Sequence, residues 1–311
     1  MRILFMGTPD FALFSLKELC ERGYNVVGAV TQPDKPKGRG YVLTPPPVKV
    51  YALEKNIPVY QPNSLRTEEF ASLLQEIDPD LIAVVAYGKI LPKNVLDYPK
   101  YGCVNVHGSL LPKYRGASPM QSAVINGDKV TGITTMFMAE GLDTGDMLLK
   151  AECEIAENDN FEDIHDRLGA LGADLLCKTV DGLVKGEITP IPQGHSLATH
   201  TSKILKEDCA IDFSKDCDTV HNLIRGLSPI PLSFTHTPDG KLLKVVKSEI
   251  CERESANIEV GKVLSLENGK IRVSCASGSI NILTVLPEGK GRMSAADFIH
   301  GRKINENDIL K

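Results

Sequence analysis

Asn105 and His107, two residues apart, end the apolar run Cys103-Val104-Asn105-Val106. In an extended strand, residues i and i+2 project from the same face. The carboxyl end of a parallel strand is also where α/β folds place their ligands. An amide and an imidazole thus converge at one mouth, and Gly108 opens the turn that leads away. Asp143 lies in Gly141-Leu142-Asp143-Thr144-Gly145, after the apolar stretch 133–139. If that stretch neighbours the Asn105 strand, the carboxylate reaches His107. No Ser or Cys stands in nucleophilic partnership with these groups. The chemistry this permits is direct transfer between two bound molecules, without a covalent enzyme intermediate. An attacking α-amine needs only a mild base, since its pKa is about 8. Attack on a carbonyl carbon builds an oxyanion, for which an amide N–H and a protonated imidazole are suitable donors. A carboxylate beside the ring fixes its tautomer. Singly, a histidine after a strand is ordinarily structural and an aspartate between glycines ordinarily a turn residue. Together, in this order, they read as a site. The same three groups could also activate water, so hydrolysis stays open.

The elements that must position them alternate. Residues 2–6 and 26–31 are short, apolar and branched, as buried parallel strands are. Between them Asp10 is placed to cap a helix over 11–19, closed near Gly23. A helix over 68–77 precedes the apolar strand 81–86, and strands 103–106 and 133–139 follow. This order predicts an α/β fold, a doubly wound Rossmann-like parallel sheet with right-handed crossovers. Gly7-Thr8-Pro9-Asp10 lacks the spaced glycines of a dinucleotide fingerprint. After a helix over 161–184, Pro190, Pro192 and Gly194 mark a linker. A helix over 219–225 stops at Gly226 and Pro229. Short alternating strands follow at 244–246, 260–264, 270–273 and 280–283, with Asn268-Gly269 as a hairpin signal. The reading is a catalytic domain over 1–189, a linker over 190–208, and a small C-terminal OB-like β-barrel over 209–311.

Composition bounds the alternatives. A chain of 311 residues, 42% hydrophobic and 24% charged, suits two globular domains. No apolar run approaches the roughly 20 residues that span a bilayer, and the opening residues read as a buried strand rather than a signal peptide. Eight scattered cysteines without a CxxC pair predict free thiols, no metal site and a cytoplasmic location. A net charge of −5 excludes nucleic-acid binding by bulk positive charge. Residues 209–311 nevertheless hold 14 Lys and Arg against 13 Asp and Glu, leaving room for local phosphate contact. The segment from Gln32 to Lys49 is rich in proline and glycine and must be exposed. It carries Lys35, Lys37, Arg39 and Lys49 against Asp34, a balance of +3. Such a loop is either a solvated surface or a grip on the phosphates of an RNA end.

Asn105-Val106-His107-Gly108-Ser109-Leu110-Leu111-Pro112, followed by Tyr114-Arg115-Gly116-Ala117-Ser118-Pro119, resembles the signature of folate-dependent formyltransferases. The resemblance implies that Asn105, His107 and Asp143 are the catalytic set. It implies that Ser109, Leu110, Leu111 and Pro112 line a pocket for 10-formyltetrahydrofolate, and that no metal takes part. Ala86-Tyr87-Gly88-Lys89-Ile90-Leu91-Pro92 is similar to the family's pterin-side loop, which assigns Tyr87, Gly88 and Ile90 to the folate. The basic segment resembles the inserted loop with which tRNA-acting members grip the acceptor arm, so Lys35, Lys37 and Arg39 map onto RNA contacts. Ile224-Arg225-Gly226-Leu227-Ser228-Pro229-Ile230-Pro231, and the stretch from Lys203 to Phe213, resemble the opening of the C-terminal domain of those same members. The implied acceptor is the methionine α-amine of methionyl-initiator tRNA, with no membrane and no obligatory protein partner. A small amine acceptor, a formate-releasing hydrolase and a non-catalytic RNA-binding protein are the rivals. Members often carry tryptophan where Phe213 and Ile230 stand, and this chain has none, so aromatic stacking there does not carry over.

Overall fold

The computed structural model describes residues 1–37, 40–254 and 259–311. They pack as two units woven from separate stretches of chain. Met1–Gly116, Thr131–Cys153 and His165–His200 form one; Ala117–Val130, Glu154–Ile164 and Thr201–Lys311 form the other.

A seven-stranded sheet organises the first unit, in the order Met147–Glu154, Val130–Phe137, Cys103–His107, Leu81–Val85, Arg2–Gly7, Asn25–Val30, Val59–Tyr60. The last five of these run parallel. Leu81–Val85 is buried at every position, which is why its sequence is apolar without alternation. The other edge departs from the all-parallel expectation: Val130–Phe137 runs antiparallel to Cys103–His107. A parallel return needs a crossover helix laid over the sheet. The chain here builds a turn and the seven-residue helix Pro119–Ile125, which packs in the other unit, and so it re-enters from the same end.

Local chemistry explains the helices. Thr67 caps Glu68–Ile77 by accepting from the Phe70 N–H at 3.3 Å. Glu68 and Glu69 sit in its first turn, and Asp78 ends it at a φ of 46°. Asp10 is not the cap of its helix. Pro9 holds that position, and Asp10 begins Asp10–Glu21, accepting from the Phe11 N–H at 3.0 Å. The long helix Phe161–Lys185 lies against the back of the sheet through Gly172, where an added Cβ would stand 2.9 Å from Val106. The basic segment forms a separate two-stranded hairpin, Lys35–Lys37 against Val42–Thr44.

In the second unit, Ser233–His236, Leu242–Glu252, Ser279–Pro287, Ile271–Ser274 and Val263–Ser265 form an antiparallel sheet, with Met293–Ser294 paired to Ser279–Pro287. Asn268 and Gly269 both take positive φ in the turn the sequence marks. Val220 and Ile224 of helix Cys217–Gly226 join Leu243, Val245, Ile280 and Ile282 in one core. The sheet curls toward a barrel, and residues 308–311 bridge its two outer strands. Asp308 O accepts from the Val263 N–H at 2.8 Å, and Lys311 exchanges backbone bonds with His236 at 2.8 and 3.1 Å. Phe213 is buried in this core, whereas Ile230 is exposed.

Candidate active site

Strand alternation sorts the side chains of Cys103–His107. Val104 and Val106 share one face, and Asn105 and His107 share the other. Across the antiparallel edge Asn105 stands opposite Met136 and His107 opposite Thr134. No described residue hydrogen-bonds the Asn105 carboxamide, so its N–H donors are free. His107 is buried, and its orientation is fixed through one ring nitrogen. Nε2 lies 2.9 Å from Tyr114 O, which can only accept, so Nε2 carries the proton. Nδ1 then faces Asp143, 3.7 Å from Oδ2.

Asp143 is held as firmly. Its Oδ2 accepts from the Gly116 N–H at 2.8 Å, and its own φ is 51°, a left-handed conformation that its neighbours must maintain. Gln193 does this by donating from Nε2 to Asp143 O at 2.9 Å and Gly145 O at 2.7 Å. Gln193 Oε1 in turn accepts from Arg115 Nε at 3.0 Å and Nη2 at 2.7 Å. Both side chains are buried, so each satisfies polar groups the other would strand.

The residues between 109 and 112 divide in two. Ser109 and Leu111 are buried and build the loop. The Ser109 hydroxyl donates to Lys113 O at 2.6 Å, and Leu111 packs with Met136 and Met147. Leu110 and Pro112 are half-buried. Thr134 closes the loop: its hydroxyl accepts from the Leu111 N–H at 3.0 Å and donates to Ser109 O at 2.8 Å. Lys150 Nζ reaches Leu111 O at 2.5 Å.

The turn after Leu81–Val85 is tight, with positive φ at Ala86 and Gly88. Gly88 and Ile90 are exposed, whereas Tyr87 is buried beneath them. Its hydroxyl has no hydrogen-bond partner among the described residues, and burial pushes its pKa up to about 12. Tyr87 O accepts from Thr8 Oγ1 at 3.3 Å and Gln32 Nε2 at 3.2 Å. Lys89 turns inward to Pro62 O and Asn63 O, at 2.8 and 2.9 Å; burial lowers its pKa, and Lys35 adds to the effect.

In the basic hairpin Lys35 is exposed, and Arg39 lies outside the described residues. Lys49 is not free: it pairs with Asp34, 2.8 Å from Oδ2. The hairpin's balance of +3 therefore rests on Lys35, Lys37 and Arg39 alone. Thr134, Gln193 and Gln61 escaped the reading of the sequence, and so did the buried role of Arg115. For Arg115 a signal existed, its place in the run that follows the motif.

A largely parallel sheet carries Asn105, His107 and Asp143 near its strand ends, as an α/β enzyme does, and the chain belongs to the formyl transferase family. Residues 1–180 match the formyl transferase domain of that family, and residues 203–303 match its C-terminal domain. The methionyl-tRNA formyltransferase of Acetivibrio thermocellus is 47% identical over 310 residues, 100% of this chain and 99% of the relative. That of Clostridium novyi is 48% identical, covering 100% of each. Solved structures share the fold at lower identity. An N-formyltransferase from Helicobacter canadensis, in complex with folinic acid and dTDP-3-aminofucose, has a TM-score of 0.66 at 18% identity, over 90% of this chain and 98% of its own. HypX from Aquifex aeolicus, in complex with tetrahydrofolic acid, has a TM-score of 0.63 at 17% identity over 96% of this chain. The match spans about half of HypX, 47% of its length. Among the described residues no helix is long and apolar enough to cross a membrane.

Proposed function

We propose that this chain transfers the formyl group of 10-formyltetrahydrofolate to the α-amine of methionyl-initiator tRNA, yielding N-formylmethionyl-tRNA for translation initiation in the cytoplasm. The observation that carries the reading is the Asp143 carboxylate facing His107 Nδ1 at 3.7 Å, beside the free Asn105 amide. Full-length relatives bearing the name methionyl-tRNA formyltransferase support the choice of acceptor.

The neutral amine attacks the formyl carbon, and charge builds on the formyl oxygen. The Asn105 N–H meets that charge. With Nε2–H bonded to Tyr114 O, the ring offers Nδ1 to the proton leaving the amine, and Asp143 stabilises the resulting cation. Collapse breaks the bond to the folate N10, which leaves with a proton. Leu110, Pro112, Gly88 and Ile90 face the folate. Ser109, Leu111 and Tyr87 shape its pocket from beneath. Lys35, Lys37 and Arg39 contact acceptor-arm phosphates, and residues 209–311, joined through 190–208, contact the tRNA body.

The test gives the protein 10-formyltetrahydrofolate with charged initiator tRNA, with free methionine, or with no acceptor. Formylated methionyl-tRNA in the first arm alone is expected. Formate released without acceptor would assign a hydrolase instead, and formylated free methionine would remove the tRNA from the reading. His107→Ala should abolish transfer in a protein that still folds.

A further inference from the structure

The basic hairpin and the turn carrying Tyr87 and Gly88 are far apart in sequence, yet one polar network ties both to residues 61–63. Asp34 enters the hairpin and Lys49 follows it, on helix Pro47–Glu54. Lys49 Nζ meets Asp34 Oδ1 and Oδ2 at 2.9 and 2.8 Å, closing the hairpin at its base. Gln61 binds both partners: Oε1 accepts from Lys49 at 2.8 Å, and Nε2 donates to Asp34 Oδ1 at 2.9 Å. The second hydrogen of the same Nε2 is shared between Gln32 O at 2.8 Å and Thr31 Oγ1 at 3.1 Å.

Two links then lead to the other turn. Gln32 Nε2 donates to Tyr87 O at 3.2 Å, and Lys89 Nζ donates to the carbonyls of Pro62 and Asn63. The Asp34 and Lys49 side chains are only 21% and 22% exposed, so this is no solvated surface pair that water replaces freely. A two-stranded hairpin three residues long on each side does not hold its own orientation. Something outside it must.

We propose that Asp34, Lys49 and Gln61 are positioning residues, forming a yoke that makes the basic hairpin and the Tyr87–Gly88 turn one body, so that RNA docked on the hairpin lies in register with the formyl donor. The inference rests on the roles given above to those two segments. Asp34 and Lys49 bond each other and Gln61, and neither is among the residues assigned above to substrate. Their charges cancel, which removes them from the attraction for phosphate and leaves them to geometry.

Lys49→Met tests this, read by steady-state transfer with each substrate varied in turn. A displacement of about 1 Å at a docking element costs up to about a hundredfold in rate. The expected result is a roughly tenfold rise in KM for charged initiator tRNA and a much smaller one, about threefold at most, for 10-formyltetrahydrofolate, whose turn keeps its bonds to Thr8 and Asn63. Lys49→Arg keeps the positive charge and the donors toward Asp34 and Gln61, and should hold the RNA KM near that of the parent. A merely structural pair would lower the melting temperature and move both KM values alike, or neither, and either result overturns the proposal. Should Lys49→Met fail to fold, Gln61→Met serves, since it leaves the ion pair in place. A second readout needs no activity. Hydrogen exchange at residues 40–44 and 86–88 should speed up together in the variant. If the parent formylates no tRNA while these segments still loosen together, the assigned function fails and the yoke stands. If the parent is active and the two segments exchange independently, the yoke fails.

Discussion

Replacing Thr134 by valine would remove one oxygen and nothing else of size, at a fully buried position opposite His107. That oxygen makes two bonds within the 109–111 loop, at 3.0 Å from Leu111 N and 2.8 Å to Ser109 O. Valine strands the Leu111 N–H in the interior at about 1–3 kcal/mol, and losing the bond to Ser109 O adds about 1 kcal/mol. Thr134→Val should therefore destabilise the first unit by roughly 2–4 kcal/mol. With a urea dependence of about 1–3 kcal/mol per molar, its unfolding midpoint should fall by about 1 M or more. Thr134→Ser is the control: it keeps the hydroxyl, gives up one methyl and should cost about 1 kcal/mol. The loosened loop should also raise the KM for the folate donor in the valine variant and not in the serine variant. A valine variant as stable as the serine one, with an unchanged donor KM, would refute the claim that this hydroxyl holds the loop.

Asp143→Asn keeps an acceptor for the Gly116 N–H and removes the charge facing His107, so kcat should fall by about a hundred- to a thousandfold with both KM values nearly unchanged; a fall below tenfold would demote the carboxylate to a turn residue. Tyr87→Phe deletes a buried hydroxyl that has no described partner and should raise stability by about 1 kcal/mol, seen as a higher melting temperature. A lower one would show that the hydroxyl has a partner. His165 lies 3.6 Å from Asp10 and 2.9 Å from Asp166. The Asp10 carboxylate raises the histidine's pKa, and the same bond lowers that of Asp10. The histidine's contribution is full below about pH 6.5 and fades as pH rises through its raised pKa; that of Asp10 is full above about pH 4 and fades in acid. With Asp10 largely exposed the pair contributes about 0.5 kcal/mol between those limits. His165→Gln should flatten the melting temperature across that window, and an unchanged profile would rule the pair out.

The central strands were legible because Arg2–Gly7 and Leu81–Val85 are covered on both faces and admit only apolar residues. Helix Glu68–Ile77 matched its predicted limits because a capping threonine and two first-turn acids mark its start. The direction of Val130–Phe137 was not legible: an apolar run serves a parallel or an antiparallel neighbour equally well. That Asn105 and His107 share one face could be read from strand alternation alone, while the approach of Asp143 to within 3.7 Å of the ring needed the fold. The clamp on Asp143 was invisible for a related reason. Gln193 lies 50 residues from Asp143 and 78 from Arg115, and no local pattern distinguishes a glutamine that satisfies buried carbonyls from one that meets water. Nor does sequence say which way Ser109 turns; here it faces its own loop.

That distant glutamine bears on how the molecule can be divided. The match to the family's first domain ends at residue 180. A fragment cut there would carry all seven strands, Asn105, His107 and Asp143, and would look complete by every local criterion. It would lack Gln193, and also Ile191, whose backbone exchanges hydrogen bonds with Met147 at 2.8 and 2.9 Å. The turn bearing Asp143 would lose its two bonds from Gln193 and keep the one from Gly116, and the edge strand would lose its pairing at Met147. On the roles proposed above for Asn105, His107 and Asp143, the site therefore extends further along the chain than the strands that carry it. During synthesis the two bonds from Gln193 to the turn bearing Asp143 can form only after every strand of the sheet has been made.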